Sequence, residues 1–286
     1  MDRLLEAVRR FSDAARAAQR VVADRSCSLD EHARIITRAA SVTGVDGGSA
    51  LIARRSNAAI GVVKIASVRY GHPGMDVDVE RWVVDVSSDE GYRITMTSLD
   101  SADQRSVRFD PRDADGFERE PESGLDLART LLERDAQARA SGLVFADGSL
   151  APRYPEERAA CASLPESVLG IVKRPSHARS SAPESIVSSV CEPVFAHRID
   201  GSWYCRLHPS SARIIRVEGA LTDERFETLL IASSDAAIPG YPYVLVLVDR
   251  FARISNREAK ALALESAARF GLDIGSLHDV LDSLER

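Results

Sequence analysis

Leu143-Val144-Phe145-Ala146-Asp147-Gly148-Ser149 reads as a short apolar strand that stops on an aspartate and a glycine. Just before it, Leu125, Ala128, Leu132 and Ala136 recur on one face of a helix spanning Leu125 to Ala140. A helix followed at once by such a strand marks an α/β chain. The carboxyl edge of the strands is where open α/β sheets bind ligands. The same ending occurs about a hundred residues earlier, in Val42-Thr43-Gly44-Val45-Asp46-Gly47-Gly48, read as a second short strand that ends at the glycines. Between the two, Ala58 to Tyr70, Val77 to Val86 and Tyr92 to Leu99 are β-type runs with short connections, an antiparallel meander. Asp110 to Ser123 is a polar surface loop by composition.

Downstream, Val168-Leu169-Gly170-Ile171-Val172 predicts another apolar strand, and Ser202–Leu207 and Arg213–Glu218 two more. Residues 174 to 188 are rich in Ser, Pro and Arg. Helices are expected at Asp223–Ala232, Pro242–Arg253, Asn256–Phe270 and near Ile274–Leu284. The first forty residues read as two helices, the second opened by the capping box Ser28-Leu29-Asp30-Glu31. The simplest organisation is a helical extension over 1–40 and one α/β domain over 41–286.

Composition bounds the function. The 286 residues are 44% hydrophobic and 28% charged, with a formal net charge of −6. These values exclude a disordered, collagen-like or coiled-coil chain. No apolar run reaches membrane-spanning length, and Met1-Asp2-Arg3 opens no secretory signal, so a cytoplasmic protein without a membrane partner is expected. The acidic balance excludes a wholly basic nucleic-acid coat. Only Lys64, Lys173 and Lys260 are lysines, so arginine carries the positive charge. Cysteines 27, 161, 191 and 205 form no CxxC pair, and the six histidines form no metal-binding cluster.

Chemistry therefore rests on carboxylates. If the strands ending in Asp46 and Asp147 are neighbours, the two charges converge, which is costly unless a cation lies between them. All-oxygen donors suit Mg²⁺ or Mn²⁺. Glu133 on the intervening helix is a third carboxylate for the same edge, with Glu122 and Asp126 as competitors. Asp249 ends the apolar run Val244–Val248, an odd place for a charge unless it is metal-bound or paired with Arg250 or Arg253. Lys173 ends the strand expected beside that of Asp147 and suits a scissile phosphate. Arg153 and Arg174 suit backbone phosphates, and Tyr243 or Tyr241 could stack on a base or fill the core.

In order and spacing these motifs resemble the NurA-type nucleases, DNA-end-processing enzymes that work with the HerA ATPase. The resemblance is carried by Val45-Asp46-Gly47-Gly48, Leu143 to Leu150, Val168 to Arg174, Trp203…Arg206-Leu207-His208-Pro209, Arg216-Val217-Glu218, Gly240 to Leu245, and Ala252-Arg253-Ile254-Ser255. It implies an RNase H-like mixed sheet flanked by helices, and a two-metal Mn²⁺ or Mg²⁺ site for phosphodiester hydrolysis at DNA ends or in single strands. It also implies a homodimer docked on a HerA-like hexameric ATPase. Asp46 and Asp147 match the family aspartates, and Glu133 is the match for the helical Glu. The family's metal-binding His falls on Asp249, a departure that leaves an all-oxygen site. A catalytically silent adaptor that keeps the fold and binds DNA or the ATPase is the alternative. An actin-like ATPase would need a second phosphate loop and a glycine-rich adenosine pocket, which the sequence lacks.

Overall fold

The computed structural model describes residues 41–71, 74–88, 91–110, 112, 119–173, 194–199 and 201–270. The helices expected over 1–40 and near 274–284, the 174–188 segment and Arg174 lie outside the described residues. Five strands come first: β1 (Val42–Arg55), β2 (Ala58–Gly71), β3 (Gly74–Ser88), β4 (Tyr92–Ser98) and β5 (Gln104–Phe109). Helix α1 (Glu122–Arg139), β6 (Leu143–Asp147), the short α2 (Arg158–Ala162) and β7 (Val168–Val172) follow. The chain continues through β8 (Phe195–Ile199), β9 (Ser202–Arg206), β10 (Ile215–Glu218), α3 (Asp223–Ala232), α4 (Tyr243–Ala252) and α5 (Asn256–Phe270).

The strands form one sheet in the order β5-β4-β3-β2-β1-β6-β7-β10-β9-β8. β1 to β5 make the antiparallel meander expected from their short connections. β6 then adds parallel to β1, and β7 parallel to β6. An antiparallel β3-β2-β1 continued by two parallel strands is the RNase H-like mixed sheet, and helices cover both of its faces.

Strand alternation sorts the core into layers. Val45, Val63, Ile65, Val84, Ile94 and Met96 meet Leu125, Leu132 and Ala136 of α1 on one face. On the other face Ala66, Phe145, Leu169, Ile171 and Val217 meet Phe226 and Leu229 of α3 and Val244, Leu245 and Val248 of α4. Ile52, Val62 and Val83 lie under Leu262 and Ala263 of α5. Each large apolar side chain buried here contributes about 1.5–3 kcal/mol. Among the described residues no helix is long and apolar enough to cross a membrane.

Several boundaries differ from the sequence reading. β1 does not end at Gly47-Gly48 but runs on to Arg55, paired with β2 along its length. The two glycines answer a steric demand rather than a turn. A Cβ at Gly47 would lie 2.5 Å from Glu133 Oε1, and one at Gly48 would overlap the carbonyl of Ala252. The loop expected up to Ser123 ends earlier, because α1 begins at Glu122. β5 and β8 were absent from the sequence reading. They are short strands at the two ends of the sheet, and polar residues interrupt their apolar pattern.

Candidate active site

Val45 pairs with Ala146 across the parallel β1 and β6, so the next residues, Asp46 and Asp147, are level on adjacent strands. Both side chains project toward α4. Gly44 and Gly48, on the same face of β1 as Asp46, approach Val244 and Ala252 of that helix. Asp147 is a true strand end. Gly148 follows with φ +114°, a conformation that glycine adopts without strain, and its N–H donates to Ile171 O at 3.0 Å.

Asp46 is the least compensated of the carboxylates. Among the described residues it accepts one hydrogen bond, from the N–H of Gly47 at 2.8 Å, and has no ion-pair partner. Burial, then repulsion from Asp147, push its carboxyl up to about 6, with Asp249 adding to the effect and Gly47 N–H and Lys173 opposing it. Glu133 comes from the opposite face, where α1 crosses β1. It is 7% exposed, and its carboxylate occupies the space left by the missing side chain of Gly47. Burial first, and Asp46 after it, push Glu133 up to about 7 against the guanidinium of Arg129.

Three of the four predicted carboxylates carry a cation from the chain itself. Lys173 Nζ is 2.5 Å from Asp147 Oδ2, Arg129 Nη1 is 2.5 Å from Glu133 Oε1, and Arg253 Nη2 is 2.9 Å from Asp249 Oδ2. Asp249 thus makes the ion pair that the sequence offered as its alternative role. It also lines a cleft of about 230 Å³ with Asp46, Gly47, Gly48, Ser49, Ala252, Arg253 and Ile254. No group of three or more His, Cys, Asp or Glu among the described residues is arranged to hold a metal. The donor chemistry nonetheless fits a hard divalent cation. All the donors are carboxylate oxygens, and the central one, Asp46, is half-buried without a counterion.

Other predicted residues fall at varied distances from this centre. Arg153 is bound to Asp126 and lies over the Tyr154 ring. Tyr243 opens α4 and packs edge-on against Tyr70, with centroids 5.9 Å apart. Tyr241 is the tyrosine that reaches the site. Lys173 Nζ lies 5.2 Å and Arg213 5.5 Å from its ring centroid, and its hydroxyl makes a long hydrogen bond of 3.4 Å to Asp147 Oδ1. Burial and the two aspartates hold that hydroxyl in its neutral, donating form. Of the competitors to Glu133, Asp126 pairs with Arg129 at 2.8 Å and Glu122 with Arg54 at 2.8 Å.

Two further residues shape the site. Glu218, on β10, accepts from Ser149 Oγ at 2.9 Å and from Leu150 N–H at 2.7 Å, and so fixes the loop that follows Asp147. Arg129 holds Glu133 and also donates to Gly47 O at 3.4 Å, tying α1 to β1 beside Asp46. Arg129 was legible as the partner four residues before Glu133 on one helical face. Nothing local in the sequence points from Glu218 to residues 149 and 150.

The raised carboxyls predict a pH dependence. Folded Asp46 and Glu133 bind protons more tightly than their unfolded values of 3.8 and 4.5 allow, so stability falls as pH rises through that window. Between pH 5 and 8 the metal-free protein is expected to lose about 2–4 kcal/mol from this source. A thermal melt series should show the loss, and saturating Mg²⁺ at pH 8 should restore it. A melting temperature that is flat from pH 5 to 8 in the metal-free protein refutes the expectation.

No family model matches the chain, and no curated protein matches it significantly. Among solved structures, the chain is similar to the catalytic domain of human Endonuclease V at 17% identity, covering 90% of this chain and 98% of that one with a TM-score of 0.36. It is similar to Ciona intestinalis Endonuclease V, solved with a 24mer DNA containing an inosine followed by a ribo-adenosine, at 11% identity over 82% of this chain and 96% of that one, with a TM-score of 0.37. A likeness to A. aeolicus Argonaute has 14% identity, covers 74% of this chain and 28% of that one, and has a TM-score of 0.29.

Proposed function

We propose that this chain is a divalent-metal-dependent DNA nuclease of the NurA type, hydrolysing phosphodiester bonds where Asp46, within β1, lies level with Asp147 at the end of β6. The observation that carries this reading is Asp46. A half-buried carboxylate level with a second carboxylate and without a counterion is unfavourable unless a cation joins it. Asp46 and Asp147 would hold Mg²⁺ or Mn²⁺ between them. Glu133 would approach from the α1 face and Asp249 from α4, in the place of the family's His. The chemistry supplied at that position is activation of a water and stabilisation of the leaving oxygen by divalent cations. Tyr241 steadies Asp147 through its hydroxyl, and Glu218 fixes the loop behind it. Lys173, 44% exposed and at the mouth of the site, is placed to meet the scissile phosphate. The wider role, a homodimer working with a HerA-type hexameric ATPase in double-strand-break resection, is supported by the sequence resemblance alone.

One observation favours a second reading, a catalytically silent adaptor that binds DNA or the ATPase. Lys173, Arg129 and Arg253 already neutralise three of the carboxylates. Incubation with labelled single-stranded DNA and Mn²⁺ or Mg²⁺, with and without EDTA, separates the two. Cleavage that EDTA abolishes is expected. DNA binding without cleavage in either metal establishes the adaptor.

A further inference from the structure

We propose that Lys173 and Arg253 are the two jaws of a phosphate clamp for a single DNA strand, and that each is freed for the strand when a divalent cation takes its carboxylate partner. This rests on the nuclease reading and goes beyond it. It assigns Arg253, and it makes metal binding and strand binding cooperative.

Lys173 is bound to Asp147, the carboxylate level with Asp46, and Arg253 lines the same cleft as Asp46. Lys173 follows β7, the strand beyond β6, and is held by Asp147. Arg253 caps the carboxyl end of α4 and is held by Asp249. The cleft that reaches Arg253 is also lined by Gly47, Gly48, Asp46 and Asp249. A second cation, Arg213, lies against the same Tyr241 ring as Lys173 and adds positive charge beside it.

Both ion pairs are suited to exchange. Asp249–Arg253 is exposed at both ends, 43% and 74%, and Lys173 is 44% exposed although its partner Asp147 is only 14% exposed. Exposed single pairs are among the weakest that proteins make, and an i,i+4 pair such as Asp249–Arg253 is no exception. A divalent cation between the carboxylates offers Asp147 and Asp249 a stronger partner. It leaves an ammonium and a guanidinium uncompensated beside the site. A phosphodiester is the ligand that such groups take, the guanidinium by a forked pair of hydrogen bonds and the ammonium as a point charge. Because each binding event then removes the competitor of the other, metal and strand must favour one another reciprocally.

The experiment measures binding rather than cleavage. The anisotropy of a fluorescent single-stranded oligodeoxynucleotide is followed with the full chain, with and without Ca²⁺, at constant ionic strength. The wild type is expected to bind about tenfold more tightly with Ca²⁺, and Arg253→Gln and Lys173→Gln should each lose most of that gain. Calorimetry with Ca²⁺ alone provides a second readout. Arg253→Gln should bind the ion several-fold more tightly, since no guanidinium competes for Asp249. Equal Ca²⁺-dependent gains in the wild type and Arg253→Gln, no gain in the wild type, or weaker Ca²⁺ binding by Arg253→Gln each overturn the clamp. If the gain is present but Mg²⁺ and Mn²⁺ support no cleavage, the nuclease reading falls and the clamp stands.

Discussion

Asp46→Asn is expected to reduce metal-dependent cleavage of single-stranded DNA by roughly 10³-fold or more, the consequence of losing a central metal ligand. The same substitution should make the metal-free protein more stable at pH 8. In the folded chain Asp46 is half-buried, repelled by Asp147 and Asp249, and pushed up to about 6. Its ionisation therefore works against folding above that pH, by about 2–3 kcal/mol at pH 8. The isosteric amide carries no charge, keeps an oxygen for the N–H of Gly47, and avoids the penalty. The expected melting temperature at pH 8 is higher by about 5–10 °C in the variant, and the difference vanishes near pH 4, where Asp46 is protonated in the wild type. Added Mg²⁺ should stabilise the wild type and leave the variant unmoved. A variant that is less stable than wild type at pH 8, or that still cleaves DNA, contradicts the role given to Asp46. An ordinary structural aspartate would give the opposite pattern, since its removal destabilises and metal has no effect.

Much of this site was legible in the sequence, because the relevant signals are local. Asp46 and Asp147 each follow an apolar run and precede glycine. The parallel pairing that puts them level needs only the helix between them to serve as a crossover. Asp249 was conspicuous as a charge at the end of an apolar run. The glycines after Asp46 were misread for a physical reason. A glycine pair beside a strand residue looks alike whether it ends the strand or thins it, and here the cause lies in α1 and α4, which are distant in sequence. Tyr241 and Tyr243 were equivalent by composition. Only the path through Pro242 into α4 sends the first to Asp147 and the second to Tyr70. The anchoring of the 148–150 loop by Glu218 spans almost seventy residues and depends on β7 and β10 pairing, which no local pattern encodes.

Gly47 and Gly48 offer the sharper test of Glu133, because alanine at each position intrudes on a different element. At Gly48 the added Cβ would overlap the backbone carbonyl of Ala252 and stand 3.0 Å from its carbonyl carbon. Backbone cannot rotate away, so the end of α4 must shift. That helix packs on β1 and β2 through Val244, Leu245 and Val248. The expected loss for Gly48→Ala is about 3 kcal/mol, the upper end for overpacking, or roughly 6–12 °C in melting temperature. At Gly47 the added Cβ would meet Glu133 Oε1 at 2.5 Å, Glu133 Cγ at 2.9 Å and Ile65 Cδ1 at 2.9 Å, all side-chain atoms able to move. Alanine also restricts the unfolded chain, which returns about 0.4–1 kcal/mol. Gly47→Ala should therefore keep its stability within about 1 kcal/mol of wild type, while cleavage falls by about 100-fold as Glu133 is turned from its place. Melting curves and single-turnover cleavage on the same preparations distinguish the two effects. If Gly47→Ala retains full cleavage, Glu133 is not part of the reacting centre. If it loses cleavage only in proportion to lost stability, the glycine serves packing alone. A fold that tolerates the methyl group while catalysis does not would locate the demand for glycine at position 47 in the chemistry of Glu133.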